Sequence, residues 1–277
     1  MKINNFMGKV AYITGGSSGI GLATAKLLAS KGANVIIFAR QEGALKEAVD
    51  GIEKCRMSPE QRFYSKQLDV AQREMTVEVL AGAVNEFGIP DILINSAGIS
   101  YPQKFEDTDY KKFDNIIKVN LYGTWNTIDV LFPFLKQKKG YIVNVSSIAG
   151  FIGVFGMTSY SASKFGIIGF SEALRSELKP SGVNVSVLCP PDVSTPMLEK
   201  ADRIKPEEAK AISAGADLMT PEAVAEVLVR ALAREDFLVI PNASGKFTYF
   251  MKRLFPGVTE WIVDGKIRGV QQKSCKA

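Results

Sequence analysis

"KVAYITGGSSGIGLATAKLLASKG", residues 9–32, decides the fold. A short apolar, β-branched run (9–14) stops at "TGGSSGIG" (14–21). A helical pattern, "GLATAKLLASKG" (21–32), follows it and ends on a glycine suited to a helix C′ position. Gly15, Gly19 and Gly21 are spaced G-x-x-x-G-x-G. Without Cβ atoms the backbone turns tightly and approaches a pyrophosphate, whose charge a helix N-terminus favours. A tight turn capped by serine would read similarly. Placement at the first strand–helix junction is what favours a dinucleotide.

The same alternation continues outward. Further strand-like runs are "NVIIFA" (34–39), "RFYSKQLDV" (62–70), "DILINSA" (91–97), "YIVNVSS" (141–147), "VNVSVLC" (183–189) and "FLVI" (237–240). Several are almost continuously apolar, as strands buried on both faces of a parallel sheet must be. "FGIIGFSEALRSELK" (165–179) is one of the helical patterns between them. The expectation is an α/β chain: one Rossmann-type, doubly wound parallel sheet of about seven strands with helices on both faces. No Pro/Gly/Ser-rich linker interrupts it before residue 240. The predicted division is a domain over 1–243, with a substrate lid near 192–220, and an amphipathic C-terminal extension over 244–277. A ligand would bind at the carboxyl edge of the strands, at the switch point.

Composition narrows the chemistry. The 277 residues are 46% hydrophobic and 23% charged, with a formal net charge of +5. That suits an anionic ligand, but no basic arm or nucleic-acid motif is present, so nucleic acid is not an expected partner. Cys55, Cys189 and Cys275 are too scattered for a disulfide framework, which fits a reducing compartment. No signal peptide and no apolar run of transmembrane length is read, so the expected location is cytoplasmic, or peripheral on the cytoplasmic face of a membrane. There is no histidine at all. Ser-His-Asp and Cys-His catalysis are excluded, and the commonest metal ligand is missing, so no metal is expected.

Proton transfer near neutral pH then falls to other groups. In "TSYSASK" (158–164), Tyr160 and Lys164 stand four apart and share a helix face. Alone, such a pair could be an ordinary exposed face. As a pair it could place an ammonium near a phenol and lower its pKa from about 10. At the end of the second strand, an acid would bind a free ribose 2′-OH and a base a 2′-phosphate. Here Ala39 is followed by Arg40, with no acid until Glu42. Arg40, helped by Ser17, points to NADP(H) over NAD(H); the alternative is a solvated loop charge.

The glycine turn, "NSAG" (95–98), "VN" (119–120), "VSS" (145–147) and "YSASK" (160–164) occur together and in order. On these motifs the chain resembles the short-chain dehydrogenase/reductase family over roughly residues 8–240. The resemblance implies that Asn120, Ser147, Tyr160 and Lys164 form the catalytic tetrad. Tyr160 would be the proton donor in ketone reduction and Ser147 would hold the substrate oxygen. Lys164 would tune Tyr160 and bind the nicotinamide ribose, and Asn120 would hold a water leading to solvent. Asp69, with Val70, would meet the adenine. Asn95 would steady the central sheet beside the cofactor, although Ser96 stands where a second Asn is usual. The cofactor set is completed by Ser18, Ile20, Ala97, Gly98, Pro190, Val193 and Thr195. Members usually pair as dimers or tetramers through the helices holding Asn120 and Tyr160, so a homo-oligomer is implied.

Substrate signals come from departures. Family members usually show Pro-Gly after the sixth strand, and this chain has Pro190-Pro191-Asp192. "FGMTSYSASKF", "PPDVSTP" and "RIKPEE" are similar to a narrower group, the 3-ketodihydrosphingosine reductases, which implies a long-chain ketone substrate and NADPH. "IAGFIGVFGMT" (148–158), with Phe151, Ile152, Val154, Phe155 and Met157, either borders an apolar cleft or covers the core. The tail carries Phe247, Phe250, Met251 and Leu254 at helical spacing, with Lys252 and Arg253 off the stripe. It would touch a membrane surface, a partner subunit or its own domain. Reduction of a 3-oxoacyl thioester, a steroid or a sugar ketone is the rival within the family. A non-catalytic dinucleotide sensor is the rival outside it.

Overall fold

The computed structural model describes residues 5–214 and 217–274. Cys275, and residues 215–216 of the expected lid, lie outside them. The strands are β1 (Val10–Thr14), β2 (Asn34–Ala39), β3 (Phe63–Gln67), β4 (Ile92–Asn95), β5 (Tyr141–Val145), β6 (Asn184–Leu188) and β7 (Leu238–Val239). They form one parallel sheet in the order β3-β2-β1-β4-β5-β6-β7. This is the expected doubly wound sheet of seven strands, with the order reversing between β1 and β4.

The helices are α1 (Gly19–Ala29), α2 (Glu42–Glu53), α3 (Arg73–Phe87), α4 (Tyr110–Ile117), α5 (Gly123–Lys138), α6 (Thr158–Leu178), α7 (Pro196–Asp202), α8 (Glu207–Ser213), α9 (Pro221–Arg234), α10 (Ala243–Leu254) and α11 (Pro256–Ser274). A π-turn, Lys118–Tyr122, joins α4 to α5. Two expectations shift. The run 62–70 is a strand only to Gln67, because Leu68 and Asp69 turn down toward the site at the sheet edge. Helix α6 starts at Thr158 rather than 165, so its first turns carry Tyr160 and Lys164.

Alternation along the strands builds two cores. Ile13, Ile37, Ile94 and Val143 pack against Leu28 of α1 and Val224 and Leu228 of α9. Tyr12, Ile36, Leu93 and Ile142 pack on the other face against Leu80 of α3 and Leu131 and Leu135 of α5. Complete burial of each Leu or Ile stabilises by about 1.5–3 kcal/mol.

A polar chain crosses the sheet between these cores. Thr127 Oγ1 donates to Asn95 Oδ1 (2.7 Å), Asn95 Nδ2 to Asn144 Oδ1 (2.9 Å), and Asn144 Nδ2 to Ser171 Oγ (2.9 Å). It ties α5, β4, β5 and α6 together in fixed register. No helix among the described residues is long and apolar enough to cross a membrane.

Candidate active site

At the carboxyl edge of the sheet a cavity of about 910 Å³ runs from the glycine turn to α7, α8, α10 and α11. Gly15, Ser17, Ser18, Gly19 and Ile20 line one end. Gly15 and Gly19 take φ of +65° and +53°, which a side chain at either position would strain. Ser18 occupies the N-cap of α1, but its side chain makes no cap hydrogen bond. The serine-capped turn is therefore not what forms. The first amides of an eleven-residue helix face the cavity, the arrangement a pyrophosphate needs.

Arg40, Asp69 and Val70 line the same end, with Ala97 and Gly98 beside them. Arg40 is exposed, and its guanidinium has no ion pair among the described residues. Pro190, Val193 and Thr195 form the facing wall. Thr195 caps α7, accepting from Leu198 N at 3.3 Å. Gly21 and Asn95 do not line the cavity. Gly21 lets α1 pack against the Gly15 carbonyl, and the Asn95 amide is committed to Thr127 and Asn144.

Ser147, Tyr160 and Lys164 meet in the middle of the cavity. Ser147 lies two residues beyond β5, where its Oγ accepts from Ala149 N (3.1 Å) and its hydroxyl is near enough to the Tyr160 phenol to favour the phenolate. Lys164 Nζ sits 5.5 Å from the Tyr160 ring centroid and donates to the Val145 carbonyl at 2.8 Å. Asn120 is fully buried in the π-turn. Its amide accepts from Ile99 N (2.9 Å) and donates to Ile99 O (3.1 Å) and Ser163 Oγ (2.9 Å). A Cβ on Gly98 would lie 3.3 Å from Asn120 Oδ1 and 3.6 Å from Lys164 Nζ, so the asparagine and the lysine converge there.

The electrostatics differ from the sequence reading in one respect. Burial pushes the Tyr160 phenol up to about 12; the Ser147 hydroxyl opposes this, and the Asp192 carboxylate and Cys189 add to it. Burial likewise pulls the Lys164 ammonium down to about 8. Lysine does not depress the phenol here, because its ammonium is turned to the Val145 carbonyl and shares the phenol's low-dielectric surroundings. Tyr160 is held as a neutral O–H, the form that donates a proton.

The structure decides between cleft and core for the apolar segments. Of the segment after Ser147, Ile152, Val154 and Met157 line the cavity, whereas Phe151 packs edge-on against Tyr249 at 5.2 Å. Phe155 lies under Lys104 instead. Phe247 and Met251 of α10, with Ile262 and Val263 of α11, close the far end. Of the stripe read in the sequence only Phe247 and Met251 reach the cavity, Phe250 and Leu254 being exposed. The sequence does not single out Ile262 and Val263, because only the return of α11 after Pro256 brings them there. Among the described residues, no group of three or more Cys, Asp or Glu could hold a metal ion.

A doubly wound sheet carrying Ser-Tyr-Lys beside a glycine-lined nucleotide crevice defines a class of oxidoreductase, and the family model for short chain dehydrogenases matches residues 9–206. The chain belongs to that family. Among curated relatives, the 3-ketodihydrosphingosine reductase of Bos taurus is 36% identical over 96% of this chain and 79% of its own. The 3-oxoacyl-[acyl-carrier-protein] reductase of Thermotoga maritima is 34% identical over 86% and 96%. A solved short-chain dehydrogenase/reductase of Burkholderia phymatum, in complex with NAD, superposes with TM-score 0.79 at 25% identity, covering 90% of this chain and 94% of that one.

Proposed function

We propose that the protein reduces the 3-keto group of a long-chain lipid such as 3-ketodihydrosphingosine with NADPH, Tyr160 donating the proton. The observation that carries this reading is the convergence of Ser147, Tyr160 and Lys164 on one cavity shared with the glycine turn. The residues fit a dinucleotide: the uncapped α1 amides suit a pyrophosphate, Asp69 an adenine, and Arg40 with Ser17 a 2′-phosphate. When bound, the reduced nicotinamide supplies hydride to the ketone carbon.

The chain's own groups handle the oxygen. Ser147 and Tyr160 hydroxyls hold the carbonyl oxygen, stabilising the negative charge that develops on it. Tyr160 transfers its proton to that oxygen, giving an alcohol. Lys164, at a pKa of about 8, is poised to return a proton to the phenolate. Asn120, clamped to Ile99 beside Lys164, would hold the water through which that proton arrives. One substrate and one solvent proton become one alcohol per NADPH oxidised.

The lipid assignment rests on the wall of Ile152, Val154, Met157, Met251 and Ile262, and on likeness to the 3-ketodihydrosphingosine reductases. The tail supports lipid access. Phe247, Phe250, Phe255 and Trp261 are each more than half exposed around the cavity end. Over 243–274, six Lys and Arg oppose two acids, +4 of the chain's +5. Such a face suits an anionic membrane surface. Trp125 on α5 and Phe165 on α6 are also exposed, and we assign that face to a second copy of the chain.

The test is NADPH oxidation with 3-ketodihydrosphingosine, a 3-oxoacyl thioester and a steroid ketone, for wild type and Tyr160→Phe. The lipid ketone should be preferred, and Tyr160→Phe should lose at least about 10³-fold in kcat while still binding NADPH. Preference for the thioester would move the protein to the acyl-carrier reductase reading. Full activity of Tyr160→Phe would remove the tyrosine from the mechanism.

A further inference from the structure

The loop after β6 puts an acid where an acid is electrostatically unfavourable. Asp192 lines the cavity together with Ser147 and Tyr160. Among the described residues the only other acid lining it is Asp69, at the nucleotide end. Negative charge develops on the substrate oxygen at Tyr160, and a carboxylate nearby opposes it. Asp192 already acts on this site, since its charge helps hold the phenol up. A reductase of neutral ketones would work better without it.

Nor does the protein neutralise Asp192 fully. Its nearest cation is Lys205 Nζ at 3.7 Å, beyond hydrogen-bond length. Lys205 gives its hydrogen bond to Asp202 instead, at 3.2 Å. The Asp192 side chain stays 40% exposed, while that of Lys205 is 4% exposed. The backbone at this position is pinned, with Met219 N donating to the Asp192 carbonyl at 3.0 Å and Ile148 N to the Pro190 carbonyl at 3.0 Å. The carboxylate is thus a half-open anion on a pinned backbone, near enough to Tyr160 for its charge to act there.

A cation carried by the substrate resolves this. We propose that Asp192 receives a protonated amine on the carbon next to the ketone, so that the enzyme selects 2-amino-3-keto lipids over uncharged 3-ketones. An ammonium there stands between the carboxylate and the forming alkoxide, and the charges alternate. A charge-assisted hydrogen bond of this kind is worth about 10- to 100-fold in selectivity. The inference rests on the reductase reading above, and adds what recognises the head of the substrate.

The test compares kcat/KM, with NADPH, for a long-chain 2-amino-3-ketone, its N-acetyl derivative and the des-amino 3-ketone. Calorimetry of the corresponding alcohols with the NADP⁺-loaded protein reads the same preference without turnover. Wild type should favour the free amine about 10- to 100-fold in both assays. Asp192→Asn should bring that to within about threefold by losing the amine's advantage, its rate on the uncharged ketone should rise, and Asp192→Glu should restore part of the preference. Equal handling of amine and N-acetyl substrate by wild type overturns the proposal. So does an equal loss on both substrates in Asp192→Asn, which would make Asp192 a latch for Lys205. Running the series on short-chain ketones separates the two readings. Amine preference with no long-chain advantage refutes the lipid assignment alone, and long-chain advantage with no amine preference refutes Asp192 alone.

Discussion

Replacing Lys164 by Met should make the protein more stable and inactive together. The Lys164 side chain is almost wholly enclosed, and burial draws its ammonium from an ordinary 10.5 to about 8. At about 1.4 kcal/mol per tenfold change in proton affinity, holding that charge inside costs about 3 kcal/mol at pH 7. Methionine of similar length removes the charge and forfeits the bond to the Val145 carbonyl, worth about 1 kcal/mol. The net is about 2 kcal/mol of stabilisation. For a domain of this size that raises Tm by about 4–8 °C.

The pH dependence gives a second reading of the same claim. The folded pKa lies below the unfolded one, so below about pH 8 both states hold the proton and the full penalty applies. Between about 8 and 10.5 the folded state sheds the proton first, and stability rises with pH. Urea unfolding of the full chain at pH 7 and pH 9.5 should therefore show the gap between Lys164→Met and wild type closing at the higher pH. A variant less stable than wild type at pH 7, or a gap that does not move, would refute the buried charge. Ketone reduction by wild type should fall as pH passes about 8, as the ammonium that reprotonates Tyr160 is lost.

Arg40→Ala should raise KM for NADPH about 10- to 100-fold with little change for NADH, measured by initial rates; equal changes for both would return Arg40 to a solvated charge. Asn95→Ala should lose about 1–3 kcal/mol in urea titration, because the Asn144 Oδ1 is left buried without its donor. Phe250→Glu with Trp261→Glu should abolish cosedimentation with vesicles of anionic phospholipid while sparing reduction of a water-soluble ketone, since neither side chain lines the cavity. Undiminished vesicle binding would leave the tail as a cavity wall alone.

Local chemistry was legible in the chain itself. The glycine spacing, the apolar β-branched runs and the i, i+4 Tyr160–Lys164 pair depend on neighbours in sequence, so the doubly wound parallel sheet, the glycine turn and the shared helix face followed from them. The absence of histidine left proton transfer to Tyr, Lys, Cys, Asp, Glu or water, and so raised the weight of the Tyr160–Lys164 pair. Distances across the fold were not legible. Folding α11 back over α8, with Lys266 Nζ on the Ile212 carbonyl at 3.0 Å, is what turned an amphipathic tail into a cavity wall. Burial, a property of the whole packed shell, set the direction of the Tyr160 and Lys164 shifts against the pairwise expectation. The position of Asp192 beside Tyr160, thirty-two residues away in sequence, arises only where the loop after β6 meets the start of α6 at the sheet edge.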